Sequence, residues 1–113
     1  MRIDEQHDGD VTVLALSGRL VLGDATERLN DKTRSLLFEG CRQLVFDLGA
    51  VSMIDSGGLG QLLTSFNSAR NLGGDVKLAA LSNRANNLLV TTKLDVVFDR
   101  LETADAAVKS FAH

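Results

Sequence analysis

Six consecutive residues, Asp55-Ser56-Gly57-Gly58-Leu59-Gly60, form the one dense polar and glycine cluster at a junction between a strand pattern and a helical one. Phosphate loops, nucleophile elbows and dinucleotide fingerprints all occupy such junctions. Each needs further residues at fixed spacing. A serine elbow requires Gly-x-Ser-x-Gly, but Ile54 holds the first glycine position, and the two histidines, His7 and His113, stand near opposite ends of the chain, so a Ser-His-Asp triad is disfavoured. A phosphate loop requires Gly-Lys-Ser/Thr after the cluster, whereas the nearest cations after it are Arg70 and Lys77. A dinucleotide fingerprint wants a third glycine where Leu63 stands. Asp47 and Asp55 can be drawn as facing carboxylates, yet no His or Cys is spaced to complete a metal site, so capping and solvation are favoured for both. Cys41 follows Gly40 at a helix end with no histidine nearby and reads as a small buried or half-buried thiol. Neither a metal nor a cofactor is expected.

What remains is Ser56 as a substrate rather than a catalyst. A hydroxyl at the start of a helix meets unpaired backbone N–H groups, so its default role is an N-cap worth about 1 kcal/mol. Modification and capping both stay open on the residues alone.

The flanking elements follow from periodicity. Ile3–His7 and Val11–Ser17 alternate as strands around the turn Asp8-Gly9-Asp10, predicting an opening hairpin. Both faces of the second strand are fairly apolar, as in an interior strand. Asp24, with Glu27 three residues on, is placed as the N-cap of a first helix that carries Ala25, Leu29, Thr33, Leu36 and Leu37 on one face and ends at Gly40. Leu44–Leu48 is a short strand, and Val51–Ile54 leads into the cluster. Leu59, Leu62, Leu63, Phe66 and Ala69 then recur at helical spacing, closed by Gly73-Gly74. Residues 75–79 make another strand, Ser82 caps a helix through Leu89, Val96–Phe98 is a last strand, and Thr103 caps a closing helix through Ala107 and Phe111. Strands alternating with helices predict an α/β fold with a mostly parallel sheet and an antiparallel edge from the hairpin.

Composition narrows the function. At 113 residues the chain has room for a single domain, 1–113, with a core large enough to need no disulfide. Fifteen acidic against twelve basic residues give a net charge of −3, and the aromatics are five Phe with no Trp or Tyr; both argue against direct nucleic-acid binding. No run reaches the roughly 20 apolar residues of a membrane span, and Met1-Arg2-Ile3-Asp4-Glu5 lacks a signal-peptide layout. The expectation is a cytoplasmic protein without membrane insertion.

Met53-Ile54-Asp55-Ser56-Gly57-Gly58-Leu59-Gly60 before an apolar helix resembles the signature segment of anti-sigma factor antagonists, the bacterial single-domain members of the STAS family. Leu16-Ser17-Gly18-Arg19-Leu20, Leu44–Leu48 and the run from Gly73 to Leu78 agree with it in order and spacing. The resemblance implies a single STAS-like domain with a mixed, mostly parallel sheet, an N-terminal hairpin and about four helices. It implies that Ser56 is phosphorylated by a partner that is both serine kinase and anti-sigma factor, and dephosphorylated by a PP2C-type phosphatase. The unphosphorylated form would capture the anti-sigma factor and free a sigma factor; phosphorylation would break the complex, and the protein would have no activity of its own.

The partner surface expected on that basis comprises Asp55, Ser56, Gly57, Gly58, Gln61, Thr64 and Asp24. Gly57 and Gly58 would leave the serine uncovered, although a sharp turn needing unusual dihedrals explains them equally well. The exposed side of the second helix is assigned to Gln61, Thr64, Asn67 and Ser68, as a contact surface or a merely solvated face. Two positions depart from the family pattern: Gly57 replaces a frequent second Ser or Thr, and Val21 stands where an aspartate is common. Asp24 either substitutes for that aspartate or caps the first helix, with the cap favoured. The alternative function is an unswitched STAS scaffold in a stress-signalling or lipid-transport complex.

Overall fold

The computed structural model describes residues 1–111, so His113 lies outside the described residues. The chain folds as a single α/β domain of three layers. Five strands run β1 (Arg2–Asp8), β2 (Val11–Leu20), β3 (Gln43–Ile54), β4 (Asp75–Ala79) and β5 (Arg100–Leu101), adjacent in that same order across one sheet. The β1–β2 pair is antiparallel and the others are parallel. Four helices are α1 (Asp24–Phe38), α2 (Ser56–Asn71), α3 (Asn83–Thr91) and α4 (Ala104–Phe111). None is long and apolar enough to cross a membrane.

The alternation of each strand explains the layering. Leu14 and Leu16 of β2, Leu44, Phe46 and Leu48 of β3, and Val76 and Leu78 of β4 join Leu29, Leu36, Leu59, Leu62 and Leu89 in the main core beneath α1, α2 and α3. The opposite residues, Val11, Val13, Val45 and Ala79, pack on Ala107 of α4. β2 is therefore interior and apolar on both faces, as its sequence predicts.

Three expectations need correction. Val96–Phe98 is a turn and bend rather than a strand. Phe98 plugs the core with its ring 5.2 Å from that of Phe66, edge to face, and the last strand is the two-residue Arg100–Leu101 beyond it. The first helix is capped by Gly23 and not by Asp24. The backbone there has φ 124°, a conformation suited to glycine, and the Oγ1 of Thr26 accepts from the Gly23 N–H while donating to the Gly23 carbonyl, both at 3.0 Å. Asp24 is already helical and exposed, with its charge favourably placed in the first turn. Finally, β3 is one strand of twelve residues and not a short strand plus a lead-in.

The long β3 is what delivers the glycine cluster to its position. Between Ala15 and Ser17, and again between Gly18 and Arg19, one extra β3 residue is accommodated against β2; such bulges bend and twist the strand. The first is held by the Asp47 carboxylate, which accepts from the Gly49 N–H at 3.0 Å. Beyond Asp47, β3 pairs only with β2, and it carries Ile54 past the end of β4.

Leu62 is fully buried on α2, whereas Leu63 is half-buried at the core edge. Leu62→Ala is expected to lower stability by about 3 kcal/mol, within the range for cavity-forming leucine truncations, and Leu63→Ala by less than half of that. Urea unfolding of the two variants checks the ordering.

Candidate functional site

The site is the junction of β3 and α2, and one carboxylate organises it. Asp55, in extended conformation, is the N-cap of α2, and its Oδ1 accepts from the Gly58 N–H at 2.7 Å. Both carboxylate oxygens also accept from the Leu22 N–H, at 3.2 and 3.1 Å, in the loop between β2 and α1. The backbone N–H of Asp55 donates to the Leu20 carbonyl at 3.4 Å. Asp55 thus starts the helix and pins the preceding loop to it. The Gly58 N–H first, and then the Leu22 N–H, hold its carboxyl below the ordinary aspartate range.

Because Asp55 takes the cap, Ser56 does not. Ser56 is the first helical residue, it is exposed, and among the described residues its hydroxyl makes no hydrogen bond within the chain. The default capping role for Ser56 is corrected by that geometry.

The two glycines serve close approach, not unusual dihedrals: neither has positive φ. A Cβ on Gly58 would lie 2.1 Å from the Leu20 carbonyl oxygen, and one on Gly57 would lie 2.5 Å from the Cβ of Leu22. Gly60 differs, with open space around it.

The remaining expected residues divide. Thr64 and Asn67 are exposed, in one stripe with Ser56 and Gly60, and the Thr64 hydroxyl donates to the Gly60 carbonyl at 3.0 Å. Gln61 is not on that side. It is half-buried against α1, its Nε2 donating to Asn30 Oδ1 at 3.2 Å and to Ser65 Oγ at 3.3 Å, while Ser65 in turn meets Thr33. Ser68 is half-buried as well. Asp24 sits two residues along from Leu22, in the first turn of α1.

Two exposed apolar side chains, one packed on Gly57 and one two residues before Asp55, were not among the expected site residues. Leu22 is 75% exposed although it packs on Gly57, and Met53 is 43% exposed, with an Arg19 guanidinium nitrogen 3.7 Å from its sulfur. A leucine in the two-residue connection between a strand and a capping glycine was the available signal. The groups weighed for other chemistry are engaged elsewhere. His7 lies on the edge strand, hydrogen-bonded to Thr12. The half-buried Cys41 thiol also meets Thr12. Arg70 is in the last turn of α2, and Lys77 donates to Ser110 beneath α4. Among the described residues no three His, Cys, Asp or Glu side chains gather as a metal site.

The model of the STAS domain family matches residues 2–107. The chain belongs to the STAS domain family. Solved structures share the fold of this STAS domain at low identity. An anti-sigma-factor antagonist (STAS) domain protein from Planctomyces limnophilus is 22% identical, with 98% of each chain covered and a TM-score of 0.86. The phosphorylated form of the Bacillus cell fate determinant SpoIIAA is 18% identical, over 97% of this chain and 99% of that one, with a TM-score of 0.78. A sulfate transporter family protein from Wolinella succinogenes is 18% identical over 88% and 83%, with a TM-score of 0.77. The mixed sheet with its antiparallel first strand, and the helices around it, are thus the STAS architecture.

The roles of the glycines can be separated experimentally. Gly58→Ala is expected to lower the thermal midpoint sharply, because the Leu20 backbone cannot move away without breaking the Asp55 anchor. Gly60→Ala, in an exposed helix interior, is expected to stabilise by about 0.5–1 kcal/mol. Thermal denaturation monitored by circular dichroism checks both. The Asp55 carboxyl titrates lower when folded, so its contribution is present above its unfolded value near ~3.9 and is lost as pH falls through the folded one. Melting curves from pH 7 to pH 3 should therefore show Asp55→Asn less stable than the parent at neutral pH, with the gap closing in acid.

Proposed function

We propose that this STAS domain is an anti-sigma factor antagonist whose partner binding is switched by phosphorylation of Ser56. The observation that carries the reading is the division of labour at the helix start: Asp55 does the capping, and the neighbouring Ser56 hydroxyl is exposed and uncommitted. Modifying that oxygen breaks no hydrogen bond of the fold. A kinase can reach it, and the product need not unfold the domain.

The unmodified surface suits a protein partner. Ser56, Gly60 and Thr64 are uncharged, and Leu22, packed on Gly57, adds exposed apolar area at their margin. Such a patch can bury against an anti-sigma factor with little desolvation penalty. Asp55, Gly57 and Gly58 shape this surface from beneath, Gln61 holds α2 against α1, and Asp24 is exposed two residues beyond Leu22. Phosphorylation adds about −1.5 to −2 charges at one point. The amino terminus of α2 accommodates that charge within the domain, but the Asp55 carboxylate is next to it, so the patch becomes strongly anionic. A partner selected for the neutral surface is then repelled by charge and by the cost of stripping water from the phosphate. In this reading the anti-sigma factor is itself the serine kinase, a PP2C-type phosphatase restores the binding form, and the domain has no catalytic activity of its own.

Ser56→Ala should bind the anti-sigma factor constitutively and resist phosphorylation, while Ser56→Asp should bind about tenfold or more weakly through like-charge repulsion at the interface. A pull-down with Ser56→Ala, followed by titration calorimetry on the captured protein, measures both. Equal affinities for the two variants and the parent would make the domain a constitutive scaffold.

A further inference from the structure

The end of the sheet away from Ser56, where β3 and β4 begin, holds a positively charged hollow that the phosphorylation reading does not use. A pocket of about 330 Å³ opens there beside the last turns of α2 and α4, lined by Arg42, Arg70 and Lys77 with a single carboxylate, Asp75. Ser110 and Phe111 of α4 form one wall. The volume is at the lower end of those that small-molecule sites occupy. Three cations against one carboxylate are thus gathered in a chain whose net charge is −3.

Helix ends account for part of this charge but not for all of it. Cations are favourable near a helix C-terminus, and Arg42 meets that need with one nitrogen, its Nη1 donating to the Leu37 and Cys41 carbonyls at 2.8 Å each. Its Nε and Nη2 donate to no group among the described residues. Arg70 stands 3.7 Å from Asp75, too far for a hydrogen bond, while the Asp75 Oδ1 accepts from the Val76 N–H at 2.9 Å. Lys77 decides the matter. It is on β4 and not at a helix end, on the α4 side of the sheet where Val45 and Ala79 are apolar and buried, and it is only 8% exposed itself. Its ammonium donates to Ser110 Oγ at 2.7 Å and lies 4.3 Å from the centre of the Phe111 ring. Asp99 reaches it only at 3.9 Å and is 70% exposed. A buried ammonium calls for a close counter-ion, and Lys77 has instead a hydroxyl, a ring and the opening of this pocket.

We propose that this pocket binds a phosphate group, either as inorganic phosphate or as a small organic phosphate ester. Two guanidinium forks and an ammonium match a tetrahedral oxyanion with several acceptor oxygens better than they match a planar carboxylate, whose two oxygens cannot serve three donor groups at once. The charge agrees as well, since a phosphate monoester carries about −1.5 to −2 at neutral pH and three cations against Asp75 leave an excess of that size. Bound phosphate would give Lys77 the counter-ion that the fold does not supply at close range. The organic part of an ester would lie along the Phe111 ring. The pocket is at the far end of β3 from Ser56, and the proposal does not rest on the switch.

Titration calorimetry of the full chain at low ionic strength tests it, with inorganic phosphate in one arm and glycerol phosphate in the other. Saturable one-to-one binding is expected, and the tighter of the two names the source of the group. Arg70→Gln and Lys77→Met should each weaken binding about tenfold or more, as loss of a charge-assisted contact does. Arg70 is exposed, so its variant keeps the fold and stands even where Lys77→Met does not. Arg84→Gln removes a charge beside the opposite end of β3 and should bind like the parent, which separates a site from the general charge of the protein. The first amides of α2 are a competing anion site, so amide chemical shifts are followed during the titration; they should move at Arg70 to Lys77 and at Ser110. Absence of saturable binding in both arms, an Arg84→Gln loss equal to that of Arg70→Gln, or shifts confined to the start of α2 would each overturn the assignment.

Discussion

The Asp55 carboxylate is the constraint on which the rest of the site depends. Two segments distant in sequence, the loop after β2 and the start of α2, are joined by its hydrogen bonds to the Leu22 and Gly58 N–H groups. Without it the helix would keep its apolar face on the sheet, but its first turn would lose its cap and the loop its anchor. Nearly every other local feature accommodates this one ion. The two bulges in β3 bring Asp55 past the end of β4, and the two glycines let the helix come close enough for the carboxylate to reach both donors.

The same constraint explains why a serine here is available for chemistry. Helix starts commonly consume a Ser hydroxyl as a cap, and a hydroxyl so engaged is a poor phosphoryl acceptor until the cap opens. Placing the aspartate first transfers that duty to a group that performs it better, since a charge-assisted bond to a backbone N–H is stronger than a neutral one. In the proposed switch the structural and regulatory roles are thus divided between adjacent residues. The phosphate added to Ser56 would meet a helix end whose Gly58 donor is already taken, leaving the first amides of the helix to face it.

Much of the fold was legible in the sequence because its signals were local. The hairpin followed from alternation around Asp8-Gly9-Asp10, and α2 from helical spacing between glycines; the caps at Ser82 and Thr103 stand where expected, accepting from Ala85 and Ala106. The errors arose where a tertiary contact chose between local options. Gly23-Asp24 and Asp55-Ser56 each offer two capping residues in a row. The outcome rests on the positive φ of Gly23 and on the distant Leu22 N–H, neither of which has a sequence pattern. Val96-Val97-Phe98 is apolar enough for a strand, yet Phe98 is needed as a plug against Phe66, and the pairing passes to Arg100–Leu101, too short to show any period. Gln61 was assigned to the solvent side because it is polar. Its amide instead completes a polar contact with Asn30 and Ser65 between two packed helices. Family membership was legible for a different reason, since the segment around Asp55 combines several constraints that few other folds impose together.

One departure from the family pattern acquires a physical cause in the structure. Gly57 occupies the position at which the resemblance implies a second hydroxyl residue, and an added Cβ there would lie 2.5 Å from the Cβ of Leu22. The residue at 57 and the course of the loop at Leu22 are therefore one choice and not two. A serine at 57 would require the loop to stand away from α2, which would stretch the bonds from Leu22 to Asp55. Glycine lets the loop close down, fixes Leu22 beside Ser56 with most of its side chain in water, and leaves a single hydroxyl at the helix start. The exposed leucine and the absence of a second hydroxyl are thus two consequences of the same close contact. Together they set what a partner would meet at this end of the domain: one exposed hydroxyl bordered by a fixed apolar side chain, on a fold otherwise shared with relatives that are mostly different in sequence.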